Sequence, residues 1–256
     1  MRYAFQVQYI GKNYAGSQIQ FENGKETDTP TIQGELEKAL CKLTCGKSAN
    51  NNKRQIRTVF SGRTDKGVNS IGQVVHFELE QMIVASKFVY SLNEILPDDI
   101  SVSDLKVVDE KFHAQKSAKK RIYRYEFINR KCKNAFDGDL LRVKFDINLE
   151  RMQKSLDYLL GEHDFSSFKS SGTLNPSKVC TIYQAECEKS GDKVIITIAG
   201  NRFLYNMVRT IVGTLLEIEG HNLPSEHMKE VLEAKDRRKA GQTVSPYGLT
   251  LMKVEY

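Results

Sequence analysis

The 256-residue sequence predicts an α+β protein built from two ferredoxin-like halves. Three observations lead there. Short stretches alternate apolar and polar residues, which is the period of a strand. Longer stretches place apolar residues three and four apart, the period of a helix. Their order is β-α-β-β-α-β, the split-βαβ arrangement, and it occurs twice. No residue-level repeat accompanies the repeated order.

In the first half, Arg2 to Ile10 alternates, with Tyr3, Phe5, Val7 and Tyr9 on one face. Pro30-Thr31 opens a helix carrying Ile32, Leu36, Leu40 and Leu43 at helical spacing. Strands follow near Ile56–Ser61 and Gly72–Leu79, around a Gly-rich polar connection, Gly62–Ser70. A helix runs from Ser86, its expected cap, to Leu96, before Pro97. Ile100 to Val108 is the last strand of this half.

The second half opens with a strand from Arg121 to Ile128 and a helix from Leu149 to Leu160. The strands Val179–Glu188 and Lys193–Ala199 flank the turn Ser190-Gly191-Asp192. A long helix is expected over Asn201–Glu219, a shorter one over Ser225–Ala234, and a closing strand over Leu249–Glu255. The boundary falls near Lys111–Ala118, dividing the chain into residues 1–111 and 112–256. The irregular stretches Phe21–Pro30, Cys45–Arg57 and Glu162–Lys178 are long for a compact domain, where such loops are often functional.

The net charge is +6 and the pI about 8.9, a basic excess that suits a polyanion such as RNA without requiring one. Five cysteines, with no C-x-x-C pair, suggest neither a disulfide framework nor a zinc site. Met1-Arg2-Tyr3 runs directly into a strand pattern, and no apolar run reaches the roughly 20 residues that span a bilayer. The expectation is a reduced cytoplasmic enzyme. The five histidines are dispersed, and neither a phosphate-binding G-x-x-x-x-G-K-[ST] loop nor a G-x-G-x-x-G after a strand is present. No metal and no cofactor is expected.

Three segments carry candidate chemistry. In Gly62-Arg63-Thr64-Asp65-Lys66-Gly67-Val68 an acid lies between two glycines and two cations. The cations favour the ionised carboxylate, and a held, desolvated carboxylate is a usable nucleophile. Spacing alone favours the plainer alternative, a turn whose Asp bonds its own backbone. In Lys119-Lys120-Arg121-Ile122-Tyr123-Arg124-Tyr125, cations suit phosphates and aromatic faces suit bases, with His113 and Lys116 just upstream. The alternative is a solvated edge strand, and for Tyr125 a core position is favoured. In Asn201–Gly213, Arg209 interrupts an apolar stretch, and helical spacing puts Tyr205 and Gly213 on its face. A buried guanidinium there needs an anionic partner, unless it snorkels to solvent. Gly213 would admit another backbone. The basic run Lys235, Arg237, Arg238, Lys239 reads as a solvated helix end.

Together the segments resemble the tRNA pseudouridine synthase A family over nearly the whole chain. The matching pieces are Tyr9-Ile10-Gly11, Tyr14-Ala15-Gly16, the Gly62–Val68 string and Gly72-Gln73-Val74-Val75-His76-Phe77. They continue with Phe112-His113-Ala114, Tyr123-Arg124-Tyr125 and Gly161-Glu162-His163-Asp164-Phe165-Ser166-Ser167-Phe168. Asn206-Met207-Val208-Arg209-x-Ile211-Val212-Gly213 and Gly248-Leu249 complete them. The resemblance implies Asp65 as the catalytic nucleophile, Tyr123 and Arg209 as its active-site partners, and Leu249 as an apolar wall against the base. It ties Arg63 to displacing the target nucleotide. It implies a catalytic cleft between the halves and a homodimer acting on tRNA without metal or small-molecule cofactor; the expected anionic partner of Arg209 is then Asp65. The targets would be uridines 38, 39 and 40 of the anticodon stem-loop. Phe112, His113, Lys116, Lys119, Lys120, Arg121 and Lys169 are the candidate RNA contacts. The chain departs from the family pattern at Asn69, Lys66 and Cys180, where His, Ala and Arg are frequent. Two other readings stand beside this one: a synthase of the same superfamily with other RNA targets, and a non-catalytic tRNA-binding protein on the same scaffold.

Overall fold

The structure is a computed structural model that describes residues 1–22, 25–27, 29–45, 56–170 and 177–256. Most of the Cys45–Arg57 loop and most of Ser171–Ser177 lie outside the described residues. The chain forms two compact units, residues 1–118 with 251–256, and residues 119–250.

In the first unit β1 (Arg2–Tyr9) pairs antiparallel with β5 (Asn69–Glu78) on one side and β6 (Ile100–Val108) on the other. The short β4 (Val59–Phe60) pairs with β5 opposite His76 and Val75. Counting β1, β4, β5 and β6 as first to fourth, their order is fourth, first, third, second. A two-stranded hairpin, β2 (Phe21–Glu22) and β3 (Lys25–Glu26), lies outside that sheet. The alternating face of β1 is buried as its pattern demands: Tyr3, Phe5, Val7 and Tyr9 are each under 5% exposed. Against it pack α1 (Ile32–Cys45), through Ile32, Leu36 and Leu40, and α2 (Ala85–Asn93), through Phe88 and Leu92. Each such side chain contributes about 1.5–3 kcal/mol by leaving water. Two expectations need correction. Ser86 is not the cap of α2; the helix begins one residue earlier, behind Val84, with no side-chain cap. Within Ile56–Ser61 only Val59 and Phe60 form ladder pairs.

The second unit repeats the layering. β7 (Lys120–Asn129) pairs antiparallel with β11 (Lys193–Gly200), which pairs with β10 (Val179–Ser190) across a turn eased by Gly191 at φ 59°. The short β8 (Leu141–Val143) runs parallel to β7, and β9 (Gly161–Asp164) continues the sheet beyond β10. Neither short strand has a sequence long enough to show a period. Three helices cover the unit's sheet: α3 (Leu149–Asp157), α4 (Met207–Gly220) and α5 (His227–Ala234). Asn148 caps α3, accepting the Arg151 N–H at 3.0 Å. Arg151 reaches from α3 to the buried Glu219 of α4, Nε to Oε1 at 2.8 Å and Nη2 to Oε2 at 2.9 Å, so the acid is both paired and hydrogen-bonded.

The expected helix over Asn201–Glu219 starts six residues late, at Met207. Asn206 sits before it in the left-handed region, φ 60°. Tyr205 therefore lies outside the helix and does not share a helical face with Arg209, contrary to expectation. The closing strand, β12 (Leu249–Glu255), keeps its expected bounds. From Leu251 onward it belongs with the first unit, where Ser70 Oγ donates to the Leu251 carbonyl at 3.3 Å.

Candidate active site

Asp65 sits in the connection between β4 and β5, and the chain around it is fixed by backbone bonds and by the side chains of its neighbours. Ser17 grips the residue before it on both sides. Its N–H donates to the Thr64 carbonyl at 3.0 Å, and its Oγ accepts the Thr64 N–H at 2.8 Å. The Tyr9 hydroxyl and Thr64 Oγ1 share a buried hydrogen bond of 2.7 Å. Burial pushes the Tyr9 hydroxyl up to about 12, so it stays neutral and available for that bond. Downstream, the Val68 N–H donates to the Asp65 carbonyl at 3.1 Å, closing a turn that Gly67 permits at φ 81°. At the entry, Ser61 Oγ donates to Gln73 Oε1 at 2.5 Å and Gln73 Nε2 donates to the Gly62 carbonyl at 2.9 Å.

Two glycines of β1's following segment allow this grip. Gly16 forms a bridge with Asp65 at φ 127°, and a Cβ there would lie 2.9 Å from the Thr64 carbonyl oxygen. A Cβ on Gly11 would come within 2.0 Å of the Val68 carbonyl oxygen. Asn69 also serves the loop: its Oδ1 accepts the Gly11 N–H at 2.9 Å. The motifs Tyr9-Ile10-Gly11 and Tyr14-Ala15-Gly16 are thus the cradle of the Asp65 loop. Thr64 is buried, Asp65 is half-buried, and Arg63 and Lys66 face solvent. The site thus presents a half-buried carboxylate on a fixed backbone, between two exposed cations.

In the second unit, Tyr123 projects from β7, 9% exposed, with its ring edge-to-face on Phe203 at 5.1 Å. Tyr125, two residues on, is fully buried, as expected of a core residue, and donates its hydroxyl to the Ser245 carbonyl at 3.0 Å. Burial pushes that hydroxyl well above its ordinary value, with the Arg209 charge opposing. The guanidinium of Arg209 is aimed by two acceptors at 2.8 Å, Nε on the Val244 carbonyl and Nη1 on Asn206 Oδ1. Asn206 is held in turn by donating Nδ2 to Ser170 Oγ at 3.0 Å. Leu249 is 5% exposed. Gly213 does admit another backbone, because a Cβ there would strike the Gln242 carbonyl oxygen at 1.7 Å.

The candidate RNA contacts fall into two sets. In the first unit Phe112 packs on Tyr256 at 4.8 Å, and His113 lies against His76 at 5.1 Å while its Nδ1 accepts the N–H groups of Gln115 and Lys116. In the second, Lys119 and Lys120 begin or precede β7, and Arg121 donates Nη1 to the Asn201 carbonyl at 2.7 Å. Lys169 follows a 3-10 turn, Ser166–Phe168. Among the described residues no group of three His, Cys, Asp or Glu is arranged to hold a metal, and no helix is long and apolar enough to cross a membrane.

His76 itself is buried, and its Nδ1 accepts the Ala114 N–H at 3.1 Å, which puts the ring proton on Nε2. Burial first, then the charges of Arg2 and His113, lower its pKa to about 4. The folded state therefore refuses a proton that the unfolded chain binds below about pH 6.5. Stability from this group is full at neutral pH and is lost as pH falls from about 6.5 towards 4, by about 2–3 kcal/mol at pH 4.5. Urea unfolding at pH 7 and 4.5 should show that loss in wild type and not in His76→Gln; equal losses in both would remove His76 as the cause.

Residues 156–256 match the model of a family described as tRNA pseudouridine synthase. The similarity to individual proteins extends much further. A tRNA pseudouridine synthase A of Thermoanaerobacter sp. (strain X514) is 39% identical over 98% of this chain and 97% of its own. Those of Brevibacillus brevis and Bacillus subtilis are 41% and 39% identical, over 97% and 100% of this chain and 96% and 99% of theirs. Identity of that degree over the full length shows that the chain belongs to the tRNA pseudouridine synthase A family.

Proposed function

We propose that this protein isomerises uridine to pseudouridine in tRNA, at positions 38, 39 and 40 of the anticodon stem-loop, with Asp65 as nucleophile. The observation that carries the reading is the Gly62–Val68 loop, whose backbone is clamped on either side of a half-buried carboxylate. Full-length similarity to tRNA pseudouridine synthases A supplies the substrate.

The reaction breaks the N1–C1′ bond, turns the uracil and rejoins it through C5, so atoms balance without a cofactor. The base must first leave its stack, at a cost of about a few kcal/mol. Arg63, exposed beside the nucleophile, fills the vacated space or holds the RNA backbone. Asp65 attacks at C1′ or C6, or assists a glycal route. Tyr123 stacks on the uracil and moves a proton late in the reaction. Arg209 supplies the guanidinium that keeps a carboxylate ionised, and Leu249 gives the base an apolar wall. The working form is a homodimer, as the family resemblance implies, and the expected setting is the cytoplasm.

The test is tritium release from tRNA transcribed with 5-tritiated uridine, followed by mapping of the modified positions. Release confined to uridines 38–40 supports the reading. Release mapped elsewhere would move the target to other RNA positions, and tight tRNA binding without release would leave a binding protein on this scaffold. Lys119 and Lys120 are proposed phosphate contacts. Replacing both by Gln should weaken tRNA binding about 10-fold at physiological salt and lower the slope of log K against log salt by about 1 to 2. An unchanged slope would remove them from the RNA surface.

A further inference from the structure

The basic run Lys235, Arg237, Arg238, Lys239 has the look of a solvated helix end, and the structure divides it. Arg238 stays in solvent on Asp236, Nη2 to Oδ2 at 2.8 Å. Arg237 turns the other way. Its Nη1 donates to the Ala240 carbonyl at 3.1 Å and its Nη2 to Thr243 Oγ1 at 3.0 Å. One guanidinium thus staples both ends of a four-residue stretch of irregular chain.

The chain runs on along α4, and each residue from Gly241 to Ser245 meets the helix or the strand beside it. The Gly241 N–H donates to Thr214 Oγ1 at 3.0 Å. Gln242 crosses at the Cβ-less Gly213. Thr243 Oγ1 and Thr210 Oγ1 share a hydrogen bond of 3.2 Å. The Val244 carbonyl accepts from Arg209 Nε at 2.8 Å, while its N–H donates to the Arg209 carbonyl at 3.4 Å. Ser245 then accepts the Tyr125 hydroxyl. Irregular chain lacks a ladder to fix its own carbonyls, so the position of the Val244 carbonyl depends on the bonds around it. Arg237 makes two of them.

We infer that Arg237 is a positioning residue for Arg209: it holds residues 240–244 so that the Val244 carbonyl aims the Arg209 guanidinium. The inference rests on the reading of Arg209 as an active-site residue. An arginine suits the task because its planar fork reaches two acceptors at once, which a lysine ammonium does not do in the same geometry.

The experiment uses the full-length protein with Arg237→Ala, Arg237→Lys and Thr243→Val, each also combined with Arg209→Lys. In each single variant kcat for pseudouridine formation should fall about 10-fold or more while KM for tRNA stays within about 2-fold. Arg237→Lys should not restore it. The double variants should lose less than the product of the single losses, because both changes act through one guanidinium. Amide exchange of residues 240–245 should quicken about 10-fold or more in Arg237→Ala. Thr243→Val guards against an Arg237→Ala protein that fails to fold. Wild-type kcat in Arg237→Ala, losses that multiply, or unchanged exchange would each overturn the inference. If wild type itself forms no pseudouridine in any tRNA, the functional reading fails at that step, and the exchange measurement still decides whether Arg237 holds the segment.

Discussion

Asp65→Asn should reduce tritium release from tRNA by at least about 10⁴-fold and leave the fold unchanged, because it removes the proposed nucleophile while the bonds of its neighbours still hold the backbone of the loop. The bonds that shape the loop come from its neighbours: Ser17 to the Thr64 amide and carbonyl, Tyr9 to Thr64 Oγ1, Gln73 to the Gly62 carbonyl, and the Val68 N–H to the Asp65 main chain. Asparagine fills the same volume, so unfolding free energy should stay within about 0.5 kcal/mol of wild type. Binding of tRNA should persist, since the proposed phosphate contacts lie elsewhere in the chain. Asp65→Glu sharpens the point. One extra methylene on an immobile backbone displaces the carboxylate by about 1 Å, enough for a loss of about 10²-fold. Turnover by Asp65→Asn within about 10-fold of wild type would end the nucleophile assignment, whatever the tRNA affinity.

The strands and the polar loop were legible because they depend on local pattern. The face of β1 follows from alternation, and the bounds of β6 and β12 match their apolar runs. Helix ends were less legible. Asn201 to Tyr205 continues the apolar periodicity of α4, but Asn206 takes a left-handed backbone that no periodicity reports, and the helix begins after it. The Asp65 segment stood out by composition, yet its geometry depends on partners about 50 residues away. Ser17 and Tyr9 carry no local signal of that task; the glycines at 11 and 16 were the available hint, since each marks a close backbone approach. Similarly, Arg209 was visible as a cation in an apolar stretch, with an anion expected as its partner. Two of the groups that hold it are instead neutral, the Val244 carbonyl and the Asn206 side-chain amide. The sequence alone cannot bring residue 244 beside residue 209, because irregular chain has no period to read.

Gly213→Ala separates that tertiary constraint from helix propensity by sign. In an exposed helix interior the change would stabilise by up to about 1 kcal/mol, since alanine is the better helix former. Here the new Cβ meets the Gln242 carbonyl oxygen at 1.7 Å, and the two segments are close one residue earlier as well, a Cβ on Gly241 lying 2.6 Å from the Gly213 carbonyl oxygen. Neither side gives cheaply. Gly213 is inside α4, and residue 242 lies between anchors at Gly241, Thr243 and Val244. The substitution should therefore destabilise the protein by about 3 kcal/mol, a fall in Tm of about 6–12 °C for a chain of this size. Whatever relief occurs must lift residues 240–244 from the helix, which withdraws the Val244 carbonyl from Arg209 Nε. Folded Gly213→Ala should thus lose kcat as Arg237→Ala does, with KM for tRNA little changed. A thermal melt and steady-state kinetics on one preparation test both halves. Unchanged or increased Tm would mean the crossing is looser than these distances require, and a lowered Tm with wild-type kcat would mean that Arg209 keeps its aim without residue 244.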